Sequence, residues 1–319
     1  MSSRSRVIRD STGREIALAG APRHVLPTGN PAAAALFCLA RDRLQGWPEP
    51  VPGEAPPAAP ALPSVPRLNA HDAAASATVV ARLAPDLVLD FGTCAPPFVA
   101  FAERLQADTG IPVAIVDGRL RETPRSLRLL GRLVGAEARA SALAQAFESM
   151  WSEAAAAGRG RGPRVHYAIG PRGEKTARRG SIHLDLPQML GAVNVAEVEA
   201  GDGGRVPVAA ADVARWAPEL ILTIDADFHR DAARLPVWAE MAAVRAGRVY
   251  LAPAPVLSWL DYPPSVNRAI GLAWLAELFH GVIGRDRLAA LACDFHRMFY
   301  GVDLAPATLA AALSKAGVG

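Results

Sequence analysis

Cysteine is scarce in this chain: Cys38, Cys94 and Cys293 are the only three, and none belongs to a Cys-x-x-Cys pair. Neither a zinc ribbon nor a disulfide framework is written here. Cys38 and Cys293 stand in apolar helical stretches, where cysteine serves as a small core residue. Charge is modest too, at 20% of residues, with 34 basic against 31 acidic side chains and a net +3. That near balance excludes the basic stripe of a nucleic-acid binder. The basic clusters "GRGRGPR" (158–164) and "ARRG" (177–180) read as solvated loops. No uninterrupted apolar run approaches about 18 residues, so no membrane-spanning helix is expected. The opening "MSSRSRVIRDSTG" has no hydrophobic run behind its basic residues and does not read as a secretory signal.

Enzyme signatures are also lacking. There is no Gly-x-Ser-x-Gly, His-Glu-x-x-His or P-loop, and the glycines of "GRGRGPRV" precede a strand instead of opening a helix after one. No nucleophile stands near a matched base and orienter in the sequence.

What is present is a large apolar fraction, 51% over 319 residues, enough for two cores. "PRHVLPTGN" (22–30) reads as a strand and turn, followed by the helix "PAAAALFCLARDRL" with Pro31 in its first turn. Residues 46–66 are too proline-rich for either period and read as a loop. The helix "AASATVVARLA", the strand "DLVLDFG", the helix "PFVAFAERLQADTG" and the strand "IPVAIVDG" follow. That alternation is the rhythm of a parallel sheet with crossover helices. It breaks at the helix "ETPRSLRLLGRLVG" and a long helix over 136–158, whose Leu143, Phe147, Met150 and Trp151 share one face. Such a helix spans about 34 Å, a strut between two lobes. The second half restarts the rhythm with the strand "RVHYAIG", a helix in "HLDLPQMLGAVNVA", the helix "LPVWAEMAAVRAG", the strand "RVYLAPA" and two closing helices.

One phrase occurs twice, "VARLAPDLVLD" at 80–90 and "VARWAPELILT" at 213–223. Each copy runs from a helix through Ala-Pro-acid into an apolar strand. Proline forbids continuation of the helix and drives the preceding residue out of helical geometry. The fully apolar strands that follow suit a sheet covered on both faces. The expected fold is therefore α/β: two Rossmann-like lobes with mainly parallel sheets, joined by one long backbone helix, with a ligand cleft between lobes. Residues 1–135 form the first lobe, 136–160 the linking helix and 161–319 the second lobe.

In an open parallel sheet, ligands bind beyond the carboxyl ends of the strands. The candidates are thus Thr28-Gly29-Asn30, Asn69-Ala70-His71 and Gly92-Thr93-Cys94 in the first lobe. In the second they are Tyr167 to Arg172, Asp225 to His229 and "SWLDY" at 258–262. His71 and Cys94 are the possible metal ligands, although neither has a partner nearby in the sequence. Tyr167, Trp259 and Tyr262 suit the walls of a bulky, partly aromatic ligand. Arg172, Arg178 and Arg179 offer guanidinium forks to a carboxylate or oxyanion. His183 and Asp185 are two apart, which splays them on a helix and makes a weak metal pair.

With these residues in view, the chain resembles the class III periplasmic substrate-binding proteins of ABC importers, those for iron–siderophores, haem, cobalamin and some metal oxyanions. "VIRDSTGREIALAGAPRHVL" resembles that family's Asp-x-x-Gly-Arg opening followed by Pro-x-Arg-Val. "LAPDLVL" and "WAPELIL" look like its paired Pro-Asp segments. "GPRGEKTARRGSIHLDLPQMLGAVNVA" is similar to its second-lobe opening, "AVRAGRVYLAP" to a later strand, and "SWLDYPPSVNRAIGLAWLAEL" to an ending found in one branch.

The resemblance implies two lobes joined by one long helix and capture of a small-molecule metal complex or metal oxyanion. It implies a transported ligand and no intrinsic cofactor, no catalysis, a monomer, and docking on an inner-membrane ABC permease. Carried over by position, Asn30, His71 and Thr93 face the cleft from the first lobe, and Tyr167, Arg172 and Trp259 from the second, with Tyr262 beside them. Where the family places a docking glutamate on each lobe, this chain has Thr78 and Ala211, with Asp212 adjacent. The periplasm is expected if a signal peptide was removed, and the cytoplasm if Met1 is the native start. The rival reading is an intracellular two-lobed α/β metal-handling protein or enzyme of chelatase- or nitrogenase-like architecture.

Overall fold

The computed structural model describes residues 6–48, 62–157, 161–196, 198 and 204–318. Residues 49–61, the centre of the expected proline-rich loop, lie outside the described residues, as do 158–160 at the expected end of the long helix. The chain divides into two compact units. One is Met1–Glu148 with Arg297–Val302, and the other is Ser149–His296 with Asp303–Gly319. The division falls inside the long helix, and unit one takes Arg297–Val302 from the half that the sequence assigns wholly to the second lobe.

Unit one opens with a hairpin, β1 (Arg6–Arg9) and β2 (Glu15–Leu18). The Asp-x-x-Gly-Arg motif makes its turn. Asp10 Oδ1 accepts from the Thr12 and Arg14 amides, and its Oδ2 accepts from the Ile115 amide. Gly13 supplies the left-handed residue at φ +88°. Then come β3 (Val25–Pro27), α1 (Asn30–Ala40), α2 (Ala73–Leu83), β4 (Leu87–Gly92), α3 (Pro96–Thr109), β5 (Val113–Asp117) and α4 (Thr123–Val134). The strands pair in parallel in the order β3-β4-β5. Proline stands in the first turn of α1, α3 and α4, where its missing N–H is no loss. Leu26, Val88, Val113 and Ile115 of the sheet pack with Val80 of α2 and Leu105 of α3. The helix α5 (Glu137–Ala157) carries the unit boundary.

Unit two contains β6 (Arg164–Ala168), β7 (Lys175–Ala177), α6 (Asp185–Met189), β8 (Val193–Asn194), β9 (Arg205–Pro207), α7 (Ala210–Trp216) and β10 (Leu220–Thr223). It continues with α8 (Ala226–Asp231), α9 (Ala242–Arg245), β11 (Val249–Leu251), α10 (Arg268–His280), α11 (Arg285–Phe295) and α12 (Pro306–Ser314). Its main sheet runs β11-β10-β6-β8, all parallel, and β7 and β9 form a separate antiparallel ribbon. Ile221 and Ala168 pack with Val213, Phe228, Trp238 and Met241.

One expected helix is corrected. "LPVWAEMAAVRAG" is a set of turns up to Met241, and only Ala242–Arg245 is helical. Pro236 withholds an N–H and Val237 turns left-handed at φ +68°, so the helical period cannot be realised there. The ribbon β7–β9 and helix α12 carry no periodicity long enough to be read from the sequence.

Candidate functional site

At the carboxyl edge of the unit-two sheet, β6 ends at Ala168 and β11 at Leu251. Two segments build outward from there. The first is the turn 169–174 and the ribbon β7–β9 with the short turn Ile182–Leu184. The second is the stretch 252–267, which leads into α10.

Asp261 joins them. It is fully buried and accepts from the Tyr167 hydroxyl at 3.0 Å, while the Nδ1 of His183 lies 2.8 Å from its carboxylate. Burial pushes the Asp261 carboxyl up. The His183 ring, the Arg205 charge and the Tyr262 amide outweigh it and hold the group below the usual range. Tyr167 is raised well above the ordinary phenol value, by burial first and then by the neighbouring Asp261 charge. The Arg205 guanidinium stacks 5.0 Å from the centroid of the Tyr262 ring, a cation–π contact at a partly exposed position.

Behind this layer sits Arg268, 1% exposed, donating to the carbonyls of Ser265 and Ile182 and lying 3.8 Å from Asp185. Burial pulls its pKa down, opposed by Asp185 and Asp261. His183 and Asp185 are indeed splayed: the first faces Asp261 and the second Arg268. Gly271 lets α10 approach this loop, since a Cβ there would stand 2.0 Å from the Trp259 carbonyl oxygen.

Of the residues singled out in the sequence of unit two, Arg172 is exposed in the turn after β6, its amide donating to Glu174. Arg178 and Arg179 continue from β7, and the Arg178 amide donates to Gly204 next to Arg205. Tyr262 is half-buried under Arg205. Tyr167 and Trp259, expected as ligand walls, are 1% and 0% exposed. Tyr167 supports Asp261 from beneath. Trp259 belongs to the core, its ring 6.0 Å from that of His296.

In unit one, Asn30 is buried at the start of α1, directly after the carboxyl end of β3. Thr93 follows β4, and its hydroxyl accepts from the Ala95 amide. His71 is exposed in the turn before α2. Cys94 has its thiol pushed up to about 11, by burial first and then by the Asp117 charge, so at neutral pH the metal-free side chain is a thiol. At the same edge the Thr28 hydroxyl donates to Asp90, whose carboxyl is raised by burial against that bond and the Arg67 charge. Asp117 and Arg119 form a bidentate pair, Nε to Oδ1 at 3.1 Å and Nη2 to Oδ2 at 2.5 Å.

Among the described residues, no group of three or more His, Cys, Asp or Glu gathers to cage a metal ion. A surface groove of about 680 Å³ lies elsewhere on unit two, at the amino ends of β10 and β11, lined by Pro218, Glu219, Val237 and Arg248. Sequence reasoning missed Arg205 and reached Asp261 only as part of "SWLDY". The available signal was Asp261 itself, a lone acid inside an apolar stretch, which must find partners when buried.

Each unit is thus a parallel sheet with helices, and charged and aromatic side chains gather at the carboxyl edge of the unit-two sheet. The profile of the periplasmic binding protein family matches residues 53–256, well over half of the chain. The chain belongs to that family. Among solved structures, an ABC transporter solute-binding protein from Sulfurospirillum deleyianum superposes with a TM-score of 0.84 at 21% identity, covering 97% of this chain and 99% of that one. Haemophilus influenzae MolA bound to molybdate gives 0.75 at 18% identity, covering 94% and 99%. A Helicobacter pylori CeuE Ni–His complex gives 0.72 at 14% identity, covering 97% and 99%. No curated protein sequence matches.

Proposed function

We propose that this chain is the solute receptor of an ABC importer and captures a metal chelate or metal oxyanion without chemically changing it. The observation that carries this reading is the Arg205–Tyr262 stack beside the buried Asp261–His183 pair at the carboxyl edge of the unit-two sheet. Arg172, Arg178 and Arg179 stand on the same ribbon and turn, so that edge is dominated by cations suited to an anionic complex. Asn30, Thr93 and His71 are the proposed ligand-facing residues of unit one. The family and the molybdate and Ni–His neighbours support a metal-bearing cargo. The bound complex is cargo, and no resident cofactor is needed to hold it.

The place of work that goes with this reading is the periplasm, with the chain as a monomer delivering to an inner-membrane permease. The positions expected to carry docking glutamates offer little free charge. The Thr78 hydroxyl is bonded to the Ala74 carbonyl, and Asp212 is paired with Arg215. Docking on the permease would therefore rest on other contacts.

A thermal-shift screen over ferric siderophores, haem, cobalamin, nickel and cobalt complexes, molybdate and tungstate tests the reading. A tight ligand raises the midpoint by mass action. No shift across the panel, together with turnover of any substrate, would overturn the receptor assignment in favour of an enzyme.

A further inference from the structure

At the opposite end of β10 and β11 from Asp261, the groove of about 680 Å³ is built from the end of α7 and from the turns leading into α9. Pro218, Met241 and Ala243 are buried in it, and Ala214, Ala217 and Val237 are exposed along it. A hollow of that size is within the range that takes a small organic ligand.

Among the described residues, four non-glycine residues stand on left-handed backbone, and two of them, Ala217 and Val237, line this groove. Ala217 caps α7, which accounts for its geometry. Val237 caps no helix. The Trp238 amide donates to the Pro236 carbonyl at 2.8 Å with Val237 between them at φ +68°, a γ-turn of the rare and strained hand. A β-branched residue is poorly suited to that backbone. The turn is held by Trp238, which is 3% exposed and packs edge-on against Phe228 at 4.8 Å between ring centroids. The Val237 side chain stands outside that packing, 41% exposed. Glycine would make the turn without strain, so what the valine adds is an apolar surface at the groove.

The charges select among apolar ligands. Of the charged residues lining the groove, Glu219 is engaged by the Arg164 amide and Glu240 lies 3.5 Å from Arg245. The Arg248 guanidinium has no hydrogen-bond or ion-pair partner among the described residues. With Arg164, which donates to the Trp216 carbonyl, and Arg245, three cations stand against two carboxylates here.

We propose that this groove is a second binding site of unit two, for an amphipathic monocarboxylate. Its apolar body lies along Ala217, Val237 and Met241, and its carboxylate pairs with Arg248, whose planar fork suits that group. A bare inorganic anion would leave the apolar floor uncovered. The site goes beyond the receptor reading, and neither depends on the other.

Sodium decanoate, kept below its micelle concentration, is the probe. Calorimetric titration into the whole protein should show one saturable site, and decylammonium should bind at least about tenfold more weakly. Arg248→Gln should weaken decanoate about tenfold and, because Arg248 is exposed, leave the melting temperature unchanged. Val237→Gly should weaken it too, while the melting temperature holds or rises as the strained turn relaxes. No saturable decanoate site, or equal binding of decanoate and decylammonium, overturns the inference. So does a Val237→Gly variant that melts lower and binds decanoate as the wild type does, since the valine would then serve folding alone. If phosphatidylglycerol vesicles bind through Arg248 and decanoate does not, the groove meets a membrane surface and the small-ligand inference falls. A metal complex that shifts the melting midpoint of a protein with no decanoate site leaves the receptor reading standing while this inference falls.

Discussion

Ala84 and Ala217 occupy the same place in the two units. Each follows a helix, each turns left-handed, at φ +43° and +47°, and each returns its N–H to the carbonyl four residues back, on Val80 and Val213. Proline comes next in both. The acid after it plays the same part in each copy, since Asp86 accepts from the amides of Arg23 and His24, and Glu219 from the amide of Arg164. In each unit the acid thus fastens the start of the neighbouring strand, β3 or β6. The repeated phrase is a device for ending a helix and launching a sheet strand.

The left-handed alanines give the first prediction. A Cβ disfavours that region by about 1–2 kcal/mol, and glycine loses part of the difference in backbone entropy. Ala84→Gly and Ala217→Gly should each stabilise their unit by about 0.5 kcal/mol, read as a rise in urea midpoint. A fall at both sites would show that the strain is illusory.

His166 governs an acid response. It is fully buried in β6 beside Trp216 and Trp238, neither ring nitrogen has a hydrogen-bond partner among the described residues, and burial pushes its pKa down to about 3. The unfolded chain takes up the proton near pH 6.5 and the folded one only near 3, so between those values the unfolded state binds more protons and stability falls with pH. At pH 5 the loss is about 2 kcal/mol. His166→Leu should flatten that part of the stability profile. It should also stabilise at pH 7 by about 1 kcal/mol, since no buried polar atom is left unpaired. An unchanged slope from about pH 6.5 to 4 would refute this.

Arg205 and Trp259 should behave oppositely. Arg205 is partly exposed, so Arg205→Ala should leave the melting temperature within a few degrees and weaken capture of an anionic metal complex about tenfold. Trp259 has no exposed surface, so Trp259→Ala should cost about 3–5 kcal/mol of stability. Calorimetric titration beside thermal melts separates the two, and a ligand-only effect at Trp259 would restore it to the site.

Gly271 is a spacing residue. Gly271→Ala places a methyl group against backbone, the Trp259 carbonyl, and backbone cannot swing aside as a side chain can. A loss of about 3 kcal/mol is expected. A wild-type melting curve would mean that α10 does not pack as closely as described.

Much of the fold was legible because local rules wrote it. Pro31, Pro85 and Pro218 mark element boundaries by their missing N–H, and the apolar runs Leu87–Leu89 and Leu220–Leu222 need cover on both faces. The failures came where local preference lost. "LPVWAEMAAVRAG" has a helical pattern, but Pro236 and the left-handed Val237 divide it. The candidate site was legible as an address only. "SWLDY" and the turn after β6 were picked out by their position after strands, which the sheet topology enforces. The burial of Trp259 was not legible, since nothing in a sequence says which face of it is covered.

Taken by itself, the sequence determined the α/β alternation and the matched entry phrases, because proline, periodicity and parallel strands act over a few residues. The tertiary structure alone decided that Asp261 meets His183 and Tyr167, that Arg205 lies on Tyr262, and that Trp259 is core. Those are contacts across long stretches of chain, and burial makes them matter: a carboxylate removed from water must find donors, wherever in the sequence they are.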